Sequence, residues 1–518
     1  MDAAPRAASD LSAGSRWSGY TSPHELAQVL SLVLPLLPLD CRARAACVCR
    51  AWRVAAAHPS LWEELSFERC AVQVNDTTLA ALCARASAAL RTLSLEGEAC
   101  ARVTGHGMVL ALRDGGCTGS RRLSMPPVWD EIYMFRRSPL SLTAELVQQL
   151  AAACPSLTYT ACAVHCRALD AVAALAALPG PLWLKCFFGY EAGAAGLTQL
   201  AECLRVNAML MSLSLRESRI GAACATQLAE SLRVNAALTS LHLWNTDIGD
   251  AGATQLAECL RVNATLKTLN LGGNGMGDAG ATQLAECLRV NAALTSFDLW
   301  NNDIGDAGAT QLAECLRVNA TLTNQNLGHI GIDDAGATQL AESLRSNATL
   351  TSLNLSHTTI GDAGLTQLAK CLRVNTTLKT LNLGGNGIGD AGARQLAESL
   401  RSNATLTSLD LSSNNIGDAG LTQLAECLRV NATLTSLTLL ENCIGDTGAS
   451  QLAECLRANA ALTSLDLRFN DVGEAGATQL AECLRVNATL TSLDLSSNDI
   501  GDKGALRAAF PSQCRLFL

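Results

Sequence analysis

Aromatic side chains are scarce, at 4% of 518 residues, and charged ones reach only 16%. The first shortage excludes a core built on large rings, so Leu and Ala must fill it with short aliphatic chains. The second falls below the quarter or so usual for globular domains. That suits a chain in which much of each segment faces other segments rather than water. Long apolar runs are also missing: the longest, Leu26–Leu39, contains Pro35 and Pro38 and is too short to span a bilayer. No membrane association is therefore expected. The N-terminus MDAAPRAASDLSAGSRW lacks an apolar h-region and carries Asp2 and Asp10, so no signal peptide is expected. Positive charge is not in excess, since 38 Lys and Arg face 47 Asp and Glu for a net −9. This argues against nucleic acid as the main partner, although the first sixty residues carry six Arg against four acids.

Catalytic signatures are absent as well. There is no P-loop, no Gly-rich dinucleotide turn, no H-E-x-x-H and no Ser or Cys triad order. The expectation is a binding protein with no cofactor. Cysteine, by contrast, is plentiful at 22 residues. Without a leader these read as free, mostly buried thiols in a reducing compartment, the cytoplasm first and the nucleus second.

What dominates the chain is a repeat. The first Leu of LTSLDLSSNNIGDAG recurs at Leu210, Leu238, Leu266, Leu294, Leu322, Leu350, Leu378, Leu406, Leu434, Leu462 and Leu490, a step of 28 without insertion. The first half of each repeat, L-x-x-L-x-L-x-x-N-x-I-G-D, alternates inward and outward as a short strand does. In the second half, Ala253, Leu256, Ala257 and Leu260 fall at helical spacing. Asp250 is expected to cap the start of its own helix. Asn263 is expected in the left-handed turn at the helix end, and Glu258 with Arg261 as a local surface pair. The ninth position is Asn in seven repeats, from Asn274 to Asn498, placed to satisfy backbone groups where the chain leaves the strand.

This signature is highly similar to leucine-rich repeats, and its helical form resembles the ribonuclease-inhibitor subclass. The resemblance implies an α/β solenoid, a right-handed horseshoe with parallel inner strands and outer helices. Residues 196–206 read as a repeat helix with Leu182 to Tyr190 as its poorly matching strand; further upstream, LRTLSLEG (90–97) and Leu157-Thr158-Tyr159 look like older, irregular repeats, with Gly115 to Pro127 as a loop. The expected layout is a disordered tail over 1–20, a small helical module over 21–65 and irregular repeats over 66–195. Regular repeats follow over 196–504, and a C-terminal cap over 505–518 carries Phe510, Leu516, Phe517 and Leu518.

Residues 21–65 form three short helical segments separated by Pro and Asp signals. They also resemble an F-box. The matching pieces are Pro23-His24-Glu25-Leu26, Val29-Leu30, Leu37-Pro38-Leu39, Val48-Cys49-Arg50-Ala51-Trp52-Arg53 and Pro59-Ser60-Leu61-Trp62. Ser22 stands where the family usually has Leu. The resemblance implies docking on the Skp adaptor of a cullin–RING ubiquitin ligase, with Pro23, Leu26, Leu30 and Leu39 as apolar contacts. Val48 and Trp52 would hold the module together or reach the partner. The repeats would then hold a target protein for ubiquitination. Two other classes have similar repeats: GTPase-activating proteins of the RanGAP type, which usually carry an acidic C-terminal run missing here, and the scaffold half of NOD-like receptors.

Positions five, seven and eight of the repeat vary most and are expected on the concave side. They supply Arg216, Glu217, His242, Trp244, Asn245, Trp300, His329, His357, Leu440, Glu441, Arg468 and Phe469. Trp and Arg are favoured interface anchors, and Trp244 and Trp300 share a phase two repeats apart, about 10 Å. The plainer alternative is that exposed rings merely shield the sheet. No metal site is expected. His329 and His357, about 5 Å apart on adjacent strands, read as two exposed imidazoles. The Cys column running from Cys203 to Cys483 reads as small buried packing groups.

Overall fold

The structure is a computed structural model that describes residues 62–67, 74–95, 100, 102–124, 143–157, 159–165, 182–187, 193–501 and 514–518. Pro23, Leu26, Leu30, Leu39, Val48 and Trp52 lie outside the described residues, as do the tail 1–20 and Phe510. The chain divides into two compact bodies, 1–185 and 186–518.

In the first body, strands Glu64–Ser66, Thr92–Ser94, Arg122–Ser124 and Tyr159–His165 pair in sequence order, all parallel. Helices Asp76–Ala86, Gly105–Asp114 and Ala144–Ala153 fall between them. Asn75, Thr104 and Thr143 cap these helices by accepting from the N–H groups of Thr78, Gly107 and Leu146. The stretch 115–127, expected to be a loop, holds the strand Arg122–Ser124. Its strand signal is only three residues long and sits among Gly and Pro, yet Leu123 is fully buried.

The second body is a leucine-rich-repeat solenoid. Twelve strands, from Leu210–Ser214 to Arg515–Phe517, pair in order and in parallel. Each residue pairs with the one 28 positions on, as Ser240 does with Thr268, until the last strand sets Leu516 beside Leu493. The sequence period is therefore the sheet register. Leu238, Leu241, Leu243 and Ile248 meet Ala253, Leu256, Ala257, Cys259 and Leu260 in the interior, all 2% exposed or less. Each such aliphatic side chain contributes about 1.5–3 kcal/mol by leaving water. Strands stack about 4.8 Å apart and helices 8–10 Å, so the strand side is the short, inner side.

Three local expectations are corrected, all in the same direction. Asp250 makes no cap on its own helix, Gly249–Leu260. Its Oδ1 accepts instead from Gly277 and Gly280, 2.8 and 2.9 Å away in the next repeat. Asn263 is not left-handed. It is buried, donating to the Leu232 carbonyl of the preceding repeat and accepting from Thr265 and Leu266. Glu258 pairs with Arg233, and Arg261 with Glu286, each at 3.0 Å and 25 residues away. The helices are tied to their neighbours because inter-repeat spacing brings those groups nearer than one helical turn does.

The asparagines at position nine follow the expected role and extend it across repeats. Asn274 Nδ2 donates to the carbonyls of Leu243, Leu271 and Gly272, while its Oδ1 accepts from Thr246 and Ile248.

Candidate functional site

Each of the eleven repeats leaves its strand through a left-handed residue at position eight. The φ values run from 51° at Ser413 to 66° at Gly273 and Gly385. Only those two are glycine; the other nine carry side chains at a cost of roughly 1–2 kcal/mol each. Bonds on both sides hold the turn. Trp300 N–H donates to Asp298 Oδ1 at 2.9 Å, and Asn301 N–H to the Gly328 carbonyl of the next repeat at 2.9 Å. The turn stands position eight off the sheet, so Glu217, Asn245, His329, His357, Glu441 and Phe469 are exposed.

Several sequence-selected residues meet in a row along this edge. The Arg216 guanidinium lies 5.0 Å from the centre of the Trp244 ring. His329 meets Trp300 edge-on at 5.4 Å, and His357 stacks on His329 at 4.9 Å. The two imidazoles are thus neighbours, as their phase required. His242 lies within its strand, its Nε2 3.0 Å from Ser240 Oγ.

Glycines that sequence reasoning passed over make the row possible. A Cβ on Gly272 would lie 2.9 Å from Trp244 Cδ1, and one on Gly328 would lie 3.0 Å from Trp300 Cδ1. A Cβ on Gly385 would collide with the His357 ring. Each large ring therefore leans over the next repeat, where the side chain is missing. The signal was present: Gly follows each Trp by 28 residues.

Leu440, Glu441, Arg468 and Phe469 sit three and four repeats beyond His357 and form a separate group. Arg468 bonds Asp466 at 2.7 Å and lies 3.5 Å from Asp494, which raises its pKa further. Glu441 accepts from Ser413 Oγ at 2.7 Å. Phe469 is 59% exposed.

Asp298, at position five, was also missed. Burial pushes its carboxyl pKa up, opposed by bonds from Trp300 and Asn326 and by the charge of Arg216. Asn270 Nδ2 donates to its Oδ2 at 2.9 Å, and among the described residues Asp298 makes no ion pair. No group of three or more His, Cys, Asp or Glu among the described residues is arranged to hold a metal ion. No described helix is long and apolar enough to cross a membrane.

Comparison with known proteins agrees with the repeat and extends to the N-terminal segment. Residues 23–68 match the F-box-like family. Residues 234–257, 262–285, 290–313, 346–369 and 486–506 match the Leucine Rich repeat family, and 359–474 the TMOD/LMOD Leucine-rich domain. No curated protein matches the chain. Among solved structures, an internalin (inlF) from Listeria monocytogenes is 21% identical, covering 62% of this chain and 82% of its own, with a TM-score of 0.38. The structure of the TLR13-ssRNA13 complex is 20% identical, covering 83% and 55%, with a TM-score of 0.46. Leiomodin-1 Actin-Binding Site 2 is 25% identical, covering 30% and 88%, with a TM-score of 0.26.

Proposed function

We propose that this chain, an F-box-like domain joined to leucine-rich repeats, is the substrate-recognition subunit of a Skp–cullin–F-box ubiquitin ligase. The observation that carries the reading is the F-box-like match at 23–68, directly upstream of a long repeat array. Both are modules of protein interaction. Pro23, Leu26, Leu30 and Leu39 supply apolar contacts to the adaptor, with Val48 and Trp52 holding that surface together. The strand edge bearing Arg216, Trp244, Trp300, His329 and His357 receives the target protein. The chain's contribution is to hold a target beside the ubiquitin-loading machinery, so the gain is proximity rather than covalent chemistry. It acts in the cytoplasm, with the nucleus as a second site.

Co-purification of the full chain with a Skp-type adaptor tests this. The adaptor should be captured, and Trp52→Ala should abolish capture. An intact chain that never retains the adaptor would remove the reading.

A further inference from the structure

The strand edge has an uneven charge. At positions five, seven and eight of the eleven repeats, Arg216 and Arg468 face six carboxylates: Glu217, Asp298, Asp410, Glu441, Asp466 and Asp494. Both arginines are engaged within the chain, Arg216 on the Trp244 ring and Arg468 on Asp466. The rest of position five is mostly Asn, as at Asn270, Asn326 and Asn354, beside a row of Ser and Thr at position three. This lining offers hydrogen bonds but little apolar area. The apolar material lies in two places, the rings of Trp244 and Trp300, which are half-buried and lean over glycines, and Leu440 with Phe469 further along.

We infer that the Trp244–Trp300 stretch, with Asp298, takes cationic side chains, and that the partner presents an Arg- or Lys-rich segment there. This rests on the reading of the strand edge as the target-binding surface and adds the chemistry of the target. Three observations converge. Indole faces attract guanidinium and ammonium groups within about 6 Å of the ring centre, and Arg216 already makes that contact at 5.0 Å. Asp298 is a largely buried carboxylate held in place by Asn270 and by the Trp300 N–H, with no ion pair among the described residues. Arg216, held on the Trp244 ring, acts on Asp298 only through its charge, and a cation resting on the Trp300 ring would add a direct ion pair. The carboxylates further along, from Asp410 to Asp494, continue the attraction in one direction along the array.

The test uses the full chain and a fluorescein-labelled oligo-arginine peptide, read by anisotropy, with oligo-glutamate as the opposite-charge probe. Oligo-arginine should bind and oligo-glutamate should not. Trp300→Ala and Asp298→Asn should each weaken binding roughly tenfold, and Trp300→Phe, which keeps a ring, should weaken it less than Trp300→Ala. Glu314→Gln, which removes a charge from the outer helices, should leave the affinity unchanged. Circular dichroism confirms that each variant is folded, and Asp298→Asn keeps the test open if Trp300→Ala is not. No oligo-arginine binding by the unmodified chain, or equal losses for Asp298→Asn and Glu314→Gln, would overturn the inference. Adaptor capture, measured in parallel, is independent of this edge. Its loss would strike the ligase reading and leave the cation site standing, whereas lost peptide binding with intact capture does the reverse.

Discussion

Gln325 pairs in register with Phe297 across adjacent parallel strands, and both are buried, at 0% and 1% exposure. Leu holds this position in nine of the eleven repeats. Neither Nε2 nor Oε1 of Gln325 has a hydrogen-bond partner. A buried amide left unbonded costs about 1–3 kcal/mol, so Gln325→Leu should stabilise the array by roughly that amount. A urea midpoint that fails to rise would show that the amide is satisfied in solution.

The same repeat carries a second fault. Ile330 replaces the position-nine Asn. Thr358 holds that position in the next repeat, so Ile332 N–H finds no Asn there and turns back to the Ile330 carbonyl at 2.8 Å, whereas Ile360 N–H reaches Asn386 of its next repeat at 3.2 Å. Amide hydrogens over 322–333 should exchange with deuterium faster than those of the repeats on either side, since local opening follows lost ties. Uniform protection across the array would contradict this.

Asn386 illustrates what is lost there. It is 8% exposed, donates to Leu355, Leu383 and Gly384, and accepts from Thr358 Oγ1 and Ile360 N–H. Asn386→Ala orphans groups in two repeats and should cost roughly 1–3 kcal/mol. A thermal melt indistinguishable from the parent would mean that water replaces the side chain.

Asp278 Oδ1 accepts from Gly305 and Gly308 of the following repeat, at 2.9 and 2.8 Å. Asp278→Ala should therefore cost about 1 kcal/mol and loosen amides at 305–308, not those of its own helix, Asp278–Leu288. Exchange that rises instead at 278–281 would restore the local cap.

Burial raises the thiols of Cys259, Cys287 and Cys315 from 9.0 to about 12. In the unfolded chain these thiols ionise near 9.0, while the folded chain retains their protons up to about 12. Between those values the unfolded state binds fewer protons, so stability falls as pH rises. The contribution is complete below pH 9 and is lost through about 12. Melting temperatures should drop steeply across that window, and replacing all three with Ser, which fills the same phase at Ser231, Ser343 and Ser399, should flatten the drop.

Much of this architecture was legible from residue order because the 28-residue step is also the register of the sheet. Leu238 and Leu266 sit in the same place for the same reason, and no competing period exists. The ties of Asp250, Asn263 and Arg261 were misread as local because sequence patterns rank partners by separation along the chain. In the folded array, the residue 25 to 31 positions away is the nearer neighbour. The segment 115–127 was misread because its strand is too short to outweigh its Gly and Pro.

The amino-acid order alone determined the strand–helix repeat, its apolar interior and which phases vary, since these follow from periodicity and burial. Only the tertiary structure decided that Trp244 and Trp300 lean over Gly272 and Gly328, that His329 stacks on His357, and that Asp298 makes no ion pair among the described residues. Those relations depend on which side chains are missing from the adjacent strand, and stacking of repeats, rather than any one of them, sets that.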